Sequence, residues 1–292
     1  MRFRTLRLLD RIGSSSVPLV AAALLVVGAI AGGEVASTAA RNLSYQLVNE
    51  DGLPSVDIEL AIAVDVSYSV DIDELLVQRI GYAEAIVSKE FLQALNAGPN
   101  RRLAVTYFEW SASNDQKIIT RWRLIDGLES AEAMAAEIME TPVRQGSRTS
   151  ISGAINFAML LFDKDPYRGP RRVVDISGDG ANNEGSPVTG ARDAALEKGI
   201  TINGLPIMMK PNSSMMDIDD LDLYYEDCVI GGPGSFVVAV RDRDQLKQAI
   251  RTKLILEVAG RTMEHRIIPA VEREPRVPCL IGEKIWQSRS RW

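Results

Sequence analysis

From about residue 55 the chain alternates between two hydrophobic periods. "VDIELAIAVDV" is a nearly unbroken apolar run, the mark of a strand buried on both faces. "DIDELLVQRIGYAEAIVSKEFLQALNAG" then spaces its apolar residues by three and four, which predicts one long helix ending at Gly98-Pro99. Asp71 with Glu74 three residues later predicts a capping box at its start. "RRLAVTYFEW" and "QKIITRWRLI" read as strands, and the short polar link "SASND" makes them a hairpin. "SAEAMAAEIMET" reads as a helix with Ser130 as N-cap, and "SISGAINFAMLLFDKD" as a helix closed by Pro166. "RRVVDIS", "PVTGARDAALEKG" and "ITINGLPIM" read as strand, helix and strand. A Gly/Pro/Asp-rich stretch from about 210 to 234 leads to a last strand, "SFVVAV", and a last helix, "DRDQLKQAIRTKLILEVAG".

Strands alternating with helices predict an α/β fold, doubly wound. Its central sheet is mostly parallel, with one antiparallel edge strand and helices on both faces. The alternation spans 55–260, and no internal repeat is visible. Residues 261–292 read as a C-terminal tail too short for a domain, with Trp286 available to dock on the body.

Residues 1–40 differ in character. Arg2, Arg4, Arg7 and Arg11 precede the uncharged 17-residue run "VPLVAAALLVVGAIAGG", and small residues follow in "EVASTAA". This is the order of a signal peptide, with cleavage expected near Ala39 or Ala40. The alternative is an inner-membrane anchor over 17–33, and then membrane contact is made through that segment alone. Either way the body is expected outside the inner membrane, periplasmic or secreted. In that setting Cys228 and Cys279 are a candidate disulfide, weighed against two separate core thiols.

The net charge of −6 argues against nucleic-acid binding. With His265 the one histidine, a metal site of several imidazoles is excluded. Candidate chemistry lies past the carboxyl ends of the strands, where open α/β sheets bind ligands. Asp65, Ser67 and Ser69 follow the first strand, Thr149 opens a helix in "QGSRTSISGA", and Asp179 follows "RRVVDIS". These are two carboxylates and three hydroxyls, an all-oxygen set suited to a hard cation. Each has a plainer reading: Ser67 and Ser69 as helix caps, Thr149 or Ser150 as a cap, Asp179-Gly180 as a turn. The expected capping box at Asp71 and Glu74 leaves the two serines free of that duty.

In that order, "DVSYS", "GSRTS" and "SGDG" resemble the metal-ion-dependent adhesion site of von Willebrand factor A domains, a pattern integrin I-domains share. The resemblance covers roughly 55–260. "EWS", "SGDGANNEG", "ITINGLPI" and "YYEDCVIGGPGSFVV" look more specifically like an uncharacterised bacterial family of exported A-domain-like proteins. The resemblance implies a divalent cation held by Asp65, Ser67, Ser69, Thr149 and Asp179. Mg2+ or Mn2+ is expected ahead of Ca2+, since small hydroxyl-rich sites favour the smaller ions. It also implies a protein partner that completes the coordination with a carboxylate, and a last helix that shifts in response. One departure is visible, because Ser177-Gly178 stand between the strand and Asp179.

A binding module is therefore expected rather than an enzyme. A magnesium-dependent hydrolase of the acid-phosphatase kind is the first alternative, but it wants a second carboxylate where Ser67 stands. A structural scaffold without metal is the second. Asp175, inside its strand and about 13 Å from Asp179 along an extended chain, reads as a paired structural carboxylate. Glu109 reads as a solvated strand-end charge, Asn182 and Asn183 as rim residues, Trp110 and Trp122 as packing residues, and His265 as a solvated tail residue.

Overall fold

β1 (Ile58–Asp65) is buried at every position, because parallel strands flank it on both sides. Its side chains divide by size. Ile58, Leu60, Ile62 and Val64 enter one core, while Ala61 and Ala63 enter the other. The computed structural model describes residues 52–209, 218–260 and 274–289. The N-terminal segment 1–40, its run at 17–33 and His265 lie outside them. Among the described residues no helix is long and apolar enough to cross a membrane.

Five strands form one sheet in the order β3-β2-β1-β4-β5. β2 (Leu103–Trp110), β4 (Arg172–Gly178) and β5 (Ile200–Pro206) run parallel to β1 or to each other, and β3 (Gln116–Ile125) pairs antiparallel with β2 at the edge. Helices α1 (Ile72–Ile86), α2 (Lys89–Asn96), α3 (Leu128–Glu140) and α7 (Leu246–Ala259) supply the first core. Helices α4 (Ile151–Phe162), α5 (Val188–Glu197) and the short α6 (Leu221–Tyr224) supply the second. α6 continues as a π-helical turn over Tyr225–Val229. The expected doubly wound α/β architecture, with its hairpin edge, is the observed one.

Four local expectations are corrected. The predicted long helix is two helices, because Ser88 interrupts it and caps α2 by accepting from Phe91 N–H at 3.3 Å. The capping box does not form: Asp71 is the N-cap of α1 by backbone, but its side chain makes no capping bond, and Glu74 is buried. α3 starts earlier than predicted. Ser130 lies inside its first turn, and its hydroxyl turns back to accept from Gly127 N–H at 3.2 Å. "SFVVAV" does not become a sheet strand. It makes isolated bridges instead, Val237 to Gly204 of β5 and Val240 to Ile207 just past it. Pro206 ends β5 and has no N–H to extend a ladder, and Asn203 Oδ1 takes the Phe236 N–H at 2.9 Å.

Candidate metal centre

The loop after β1 is fixed before its side chains are considered. Val66 N–H donates to Trp110 O at 2.9 Å, Gly146 N–H donates to Val66 O at 2.7 Å, and Val70 N–H closes a turn on Ser67 O at 3.0 Å. The strand thus passes directly into a tight turn. The turn keeps residues 65, 67 and 69 on one side while drawing their oxygens together, where an extended strand would space them along its length.

The side chains form a connected line. Asp65 Oδ1 accepts from Ser67 N–H at 2.7 Å. Ser67 Oγ and Ser69 Oγ are 2.9 Å apart, and Ser69 Oγ donates to Asp179 Oδ1 at 2.6 Å. Asp179 therefore reaches the β1 loop in spite of Ser177-Gly178, which simply extend β4 by two residues. Thr149 arrives on the third loop, where a Cβ on Gly180 would lie 3.7 Å from its Oγ1. Its backbone is tied to the Asp179 loop, with Asn183 N–H donating to Thr149 O at 2.8 Å and Thr149 N–H donating to Asn183 Oδ1 at 3.0 Å. Ser150 next to it caps α4, accepting from Gly153 N–H at 3.2 Å. The capping duty thus falls on Ser150 and not on Thr149.

Asp65 is fully buried, and its Oδ2 makes no hydrogen bond within the described residues. Burial first, and the Asp179 charge second, push its carboxyl well above the usual carboxylate range, against the Ser67 N–H that favours the anion. A cation beside this carboxylate would offset both effects. The donors brought together are two carboxylates and three neutral hydroxyls, which fits a small hard divalent ion. Among the described residues no group of three or more His, Cys, Asp or Glu side chains is placed to hold a metal ion. A Zn2+ site of the nitrogen or sulfur kind is not what this donor set builds.

Residues 55–262 match the family model described as "Protein of unknown function (DUF1194)". The chain belongs to that family. No curated protein matches it. Among solved structures, the DUF1194 chain is similar to proximal thread matrix protein 1 from the mussel byssus, at 14% identity and a TM-score of 0.53, over 70% of this chain and 48% of that one. It is similar to a von Willebrand factor type A protein from Catenulispora acidiphila, at 15% identity and 0.52, over 71% and 43%. A third is the pilus adhesin SpaC from Lactobacillus rhamnosus GG, at 12% identity and 0.52, over 70% and 31%. The chain spans less than half the length of each. The fold of the DUF1194 chain is that of a von Willebrand factor A domain.

Several neighbours of the site were misread or missed in the sequence. Glu109 is not a solvated charge. It is 1% exposed, accepts from Arg79 Nε at 3.0 Å and pairs with Arg144 Nε at 3.3 Å. β2 buries its whole length, so a carboxylate at its end is costly unless cationic partners lie beside it, as Arg79 and Arg144 do here. Asn182 is buried, bonded to Ser152 N–H, Ser186 O and Glu283, and Asn183 bonds Thr149; both hold loops together rather than line an open rim. Trp110 is buried, and Trp122 stacks 5.4 Å from Phe162 while donating to Leu161 O, both as packing residues. Asp175 is the expected paired carboxylate. Tyr225 was missed. A Cβ on Gly178 would come within 3.0 Å of both Tyr225 Oη and Asp65 Oδ2, so the two share one gap that only glycine leaves open. Its position on a π-helical turn is invisible to a 3.6-residue period. Cys228 and Cys279 form a disulfide.

Proposed function

We propose that this chain is a metal-dependent protein-binding module of the adhesion type. Asp65, Ser67, Ser69, Thr149 and Asp179 would hold a divalent cation, Mg2+ or Mn2+ before Ca2+. The observation that carries the reading is the buried Asp65 carboxylate, with one oxygen lacking a protein partner, at the head of a line of oxygens ending on Asp179. When bound, the ion would supply a Lewis-acidic position for a carboxylate of the partner. The chain's own residues do the rest. Ser67 and Ser69 orient Asp65 and Asp179, and Asn183 keeps Thr149 at the same mouth.

A protein partner is supported by the surface beside the site. Tyr68, between two of the proposed ligands, is 69% exposed, and Ile72 and Leu76 follow at 60% and 42%. Three large apolar side chains this exposed, so near the proposed ligands in sequence, suit a contact surface. The adhesin among the similar structures points the same way. The Cys228–Cys279 disulfide supports an exported, periplasmic or secreted location, with residues 1–40 as leader or 17–33 as anchor. The chain is read as a binding module and not an enzyme, with no nucleic acid among its partners.

Calorimetric titration of Mg2+ and Mn2+ into chelator-stripped protein tests the reading, beside Asp65→Ala and Asp179→Ala. Saturable one-site binding in the wild type, lost in both variants, is expected. Heat without saturation in the wild type would sink the metal-dependent reading. A phosphatase screen with Mg2+ should give no turnover; metal-dependent hydrolysis lost in Asp65→Ala would replace the binding module with a hydrolase.

A further inference from the structure

The C-terminal segment 274–289 does not trail away from the domain. It is joined to the π-helical turn by Cys228–Cys279, and Arg276 Nη2 reinforces the junction by pairing with Glu226 Oε2 at 2.6 Å. Its helix α8 (Ile281–Arg289) then lies across the two loops that carry Thr149 and Asp179. Gly282 packs so closely on the Asn182 backbone that a methyl group there would collide with the Asn182 carbonyl. Glu283 Oε1 accepts from Asn182 Nδ2 at 2.7 Å. One turn further on, the Trp286 ring lies 3.3 Å from the guanidinium carbon of Arg148.

Both contact points adjoin the proposed ligands. Arg148 precedes Thr149 and is held at φ 73°, in the left-handed region that residues other than glycine seldom adopt without support. Asn182 precedes Asn183, whose side chain and backbone hold Thr149. The two loops come from different parts of the chain, and α8 bridges them from outside. Ligands on separate loops bind a small ion well only if their supports fix them closely.

We propose that 274–289 is a positioning strap for the metal site. Trp286 and Glu283 are its positioning residues, and the Cys228–Cys279 bridge is its anchor. The inference rests on the metal-binding reading above, and it adds that the affinity of that site is set from the C-terminal tail. Trp286 holds Arg148 by a cation–π contact, Glu283 holds Asn182 by a charge-assisted hydrogen bond, and Gly282 permits the approach.

The test is Mn2+ titration into the full chain, comparing wild type with Trp286→Ala, Trp286→Phe, Glu283→Gln and the double variant Cys228→Ser/Cys279→Ser. Hydrogen exchange of the metal-free proteins is followed at 147–149, 179–183, β1 and β4. Trp286→Ala and the double variant should weaken Mn2+ binding roughly tenfold, the scale seen when outer supports of metal ligands are removed. Trp286→Phe, which keeps an aromatic face, should restore most of it. Exchange should quicken at 147–149 and 179–183 and stay unchanged in β1 and β4, which shows that the domain remains folded. Wild-type affinity together with wild-type exchange in Trp286→Ala and the double variant would overturn the strap. If the wild type itself takes up no Mn2+, the metal reading fails and exchange alone decides. Unchanged protection at both loops then overturns the strap, and loss confined to them sustains it as a loop-holding element.

Discussion

Lys253 reaches from α7 into the sheet and ends 2.7 Å from Oδ1 of Asp175 on β4, with both side chains out of solvent. Glu257, one turn along α7, lies 2.8 Å from the same ammonium and accepts from Asn203 Nδ2 on β5 at 2.9 Å. Burial pushes the Asp175 carboxyl up to about 6, and Lys253 opposes that rise. Removing the cation strands two carboxylates in the core. Lys253→Met should cost about 3–5 kcal/mol of stability, read from urea unfolding. A variant within about 1 kcal/mol of wild type would mean that the buried ion cluster adds little net stability, its attraction being offset by the cost of desolvating its charges.

The same contact bears on movement. The resemblance implies that the last helix shifts when ligand binds, and here that helix is α7. Sliding it by a turn would carry Lys253 about 5.4 Å along the helix axis, away from Asp175. In the wild type, hydrogen exchange over 246–259 should be no faster with saturating Mn2+ than without it. Exchange that quickens there on metal addition would show that α7 does move.

The proposed metal site should cost stability when no metal is bound. Asp65 is buried with an unbonded oxygen and faces the Asp179 charge. Asp65→Asn removes the charge and keeps the shape. In metal-free protein at pH 7 it should raise stability by about 0.5–2 kcal/mol, the range for relieving a functional compromise. The same variant should lose any rise of Tm with added Mn2+, which for wild type at 100 times Kd corresponds to about 2.7 kcal/mol. A less stable Asp65→Asn would show that the carboxylate is satisfied without metal.

Glu109 provides a parallel case at the neighbouring strand end. It joins Arg79 on α1 to Arg144 on the loop that leads to Thr149, and Arg144 continues to Asp115 at 2.9 Å. Glu109→Ala should destabilise by about 3–5 kcal/mol in urea unfolding, by leaving the buried Arg79 without its carboxylate. Loss of under 1 kcal/mol would put its weight with surface pairs instead.

How far the sequence could be read depended on how local the cause was. Mostly apolar runs such as 58–65 and the hairpin about 111–115 announce themselves, because a near-continuous hydrophobic stretch and a short polar link are local signals. The order of Asp65, Thr149 and Asp179 along the chain was legible for a similar reason: each ends a strand, directly follows one or stands just before a helix. What escaped was set by distant contacts. Glu109 appeared solvated because its cations come from positions 79 and 144. Asn182 appeared to be a rim residue because its covering helix lies a hundred residues on. The sixth strand failed because β5 ends in Pro206, while the helix break at Ser88 shows a local cap overriding a continuous hydrophobic period.

At the opposite end of β1 from the proposed metal site, Glu59 and Asp165 form a buried acid pair, 1% and 5% exposed. Glu59 Oε1 accepts from Gly169 N–H at 2.6 Å and Asp165 Oδ1 accepts from Tyr167 N–H at 2.9 Å. Burial, reinforced by Glu59, pushes the Asp165 carboxyl up to about 8. The folded chain therefore keeps a proton there that the unfolded chain releases near pH 4. This contribution to stability is complete below about pH 4, shrinks as pH rises, and is lost once pH passes about 8. Asp165→Asn supplies a permanent neutral donor. Between pH 5 and 9 the Tm of the wild type should fall more steeply than that of Asp165→Asn, so that the variant gains on the wild type as pH rises. Parallel Tm curves across that window would mean that Asp165 is ionised throughout, with Arg168 as its counter-charge.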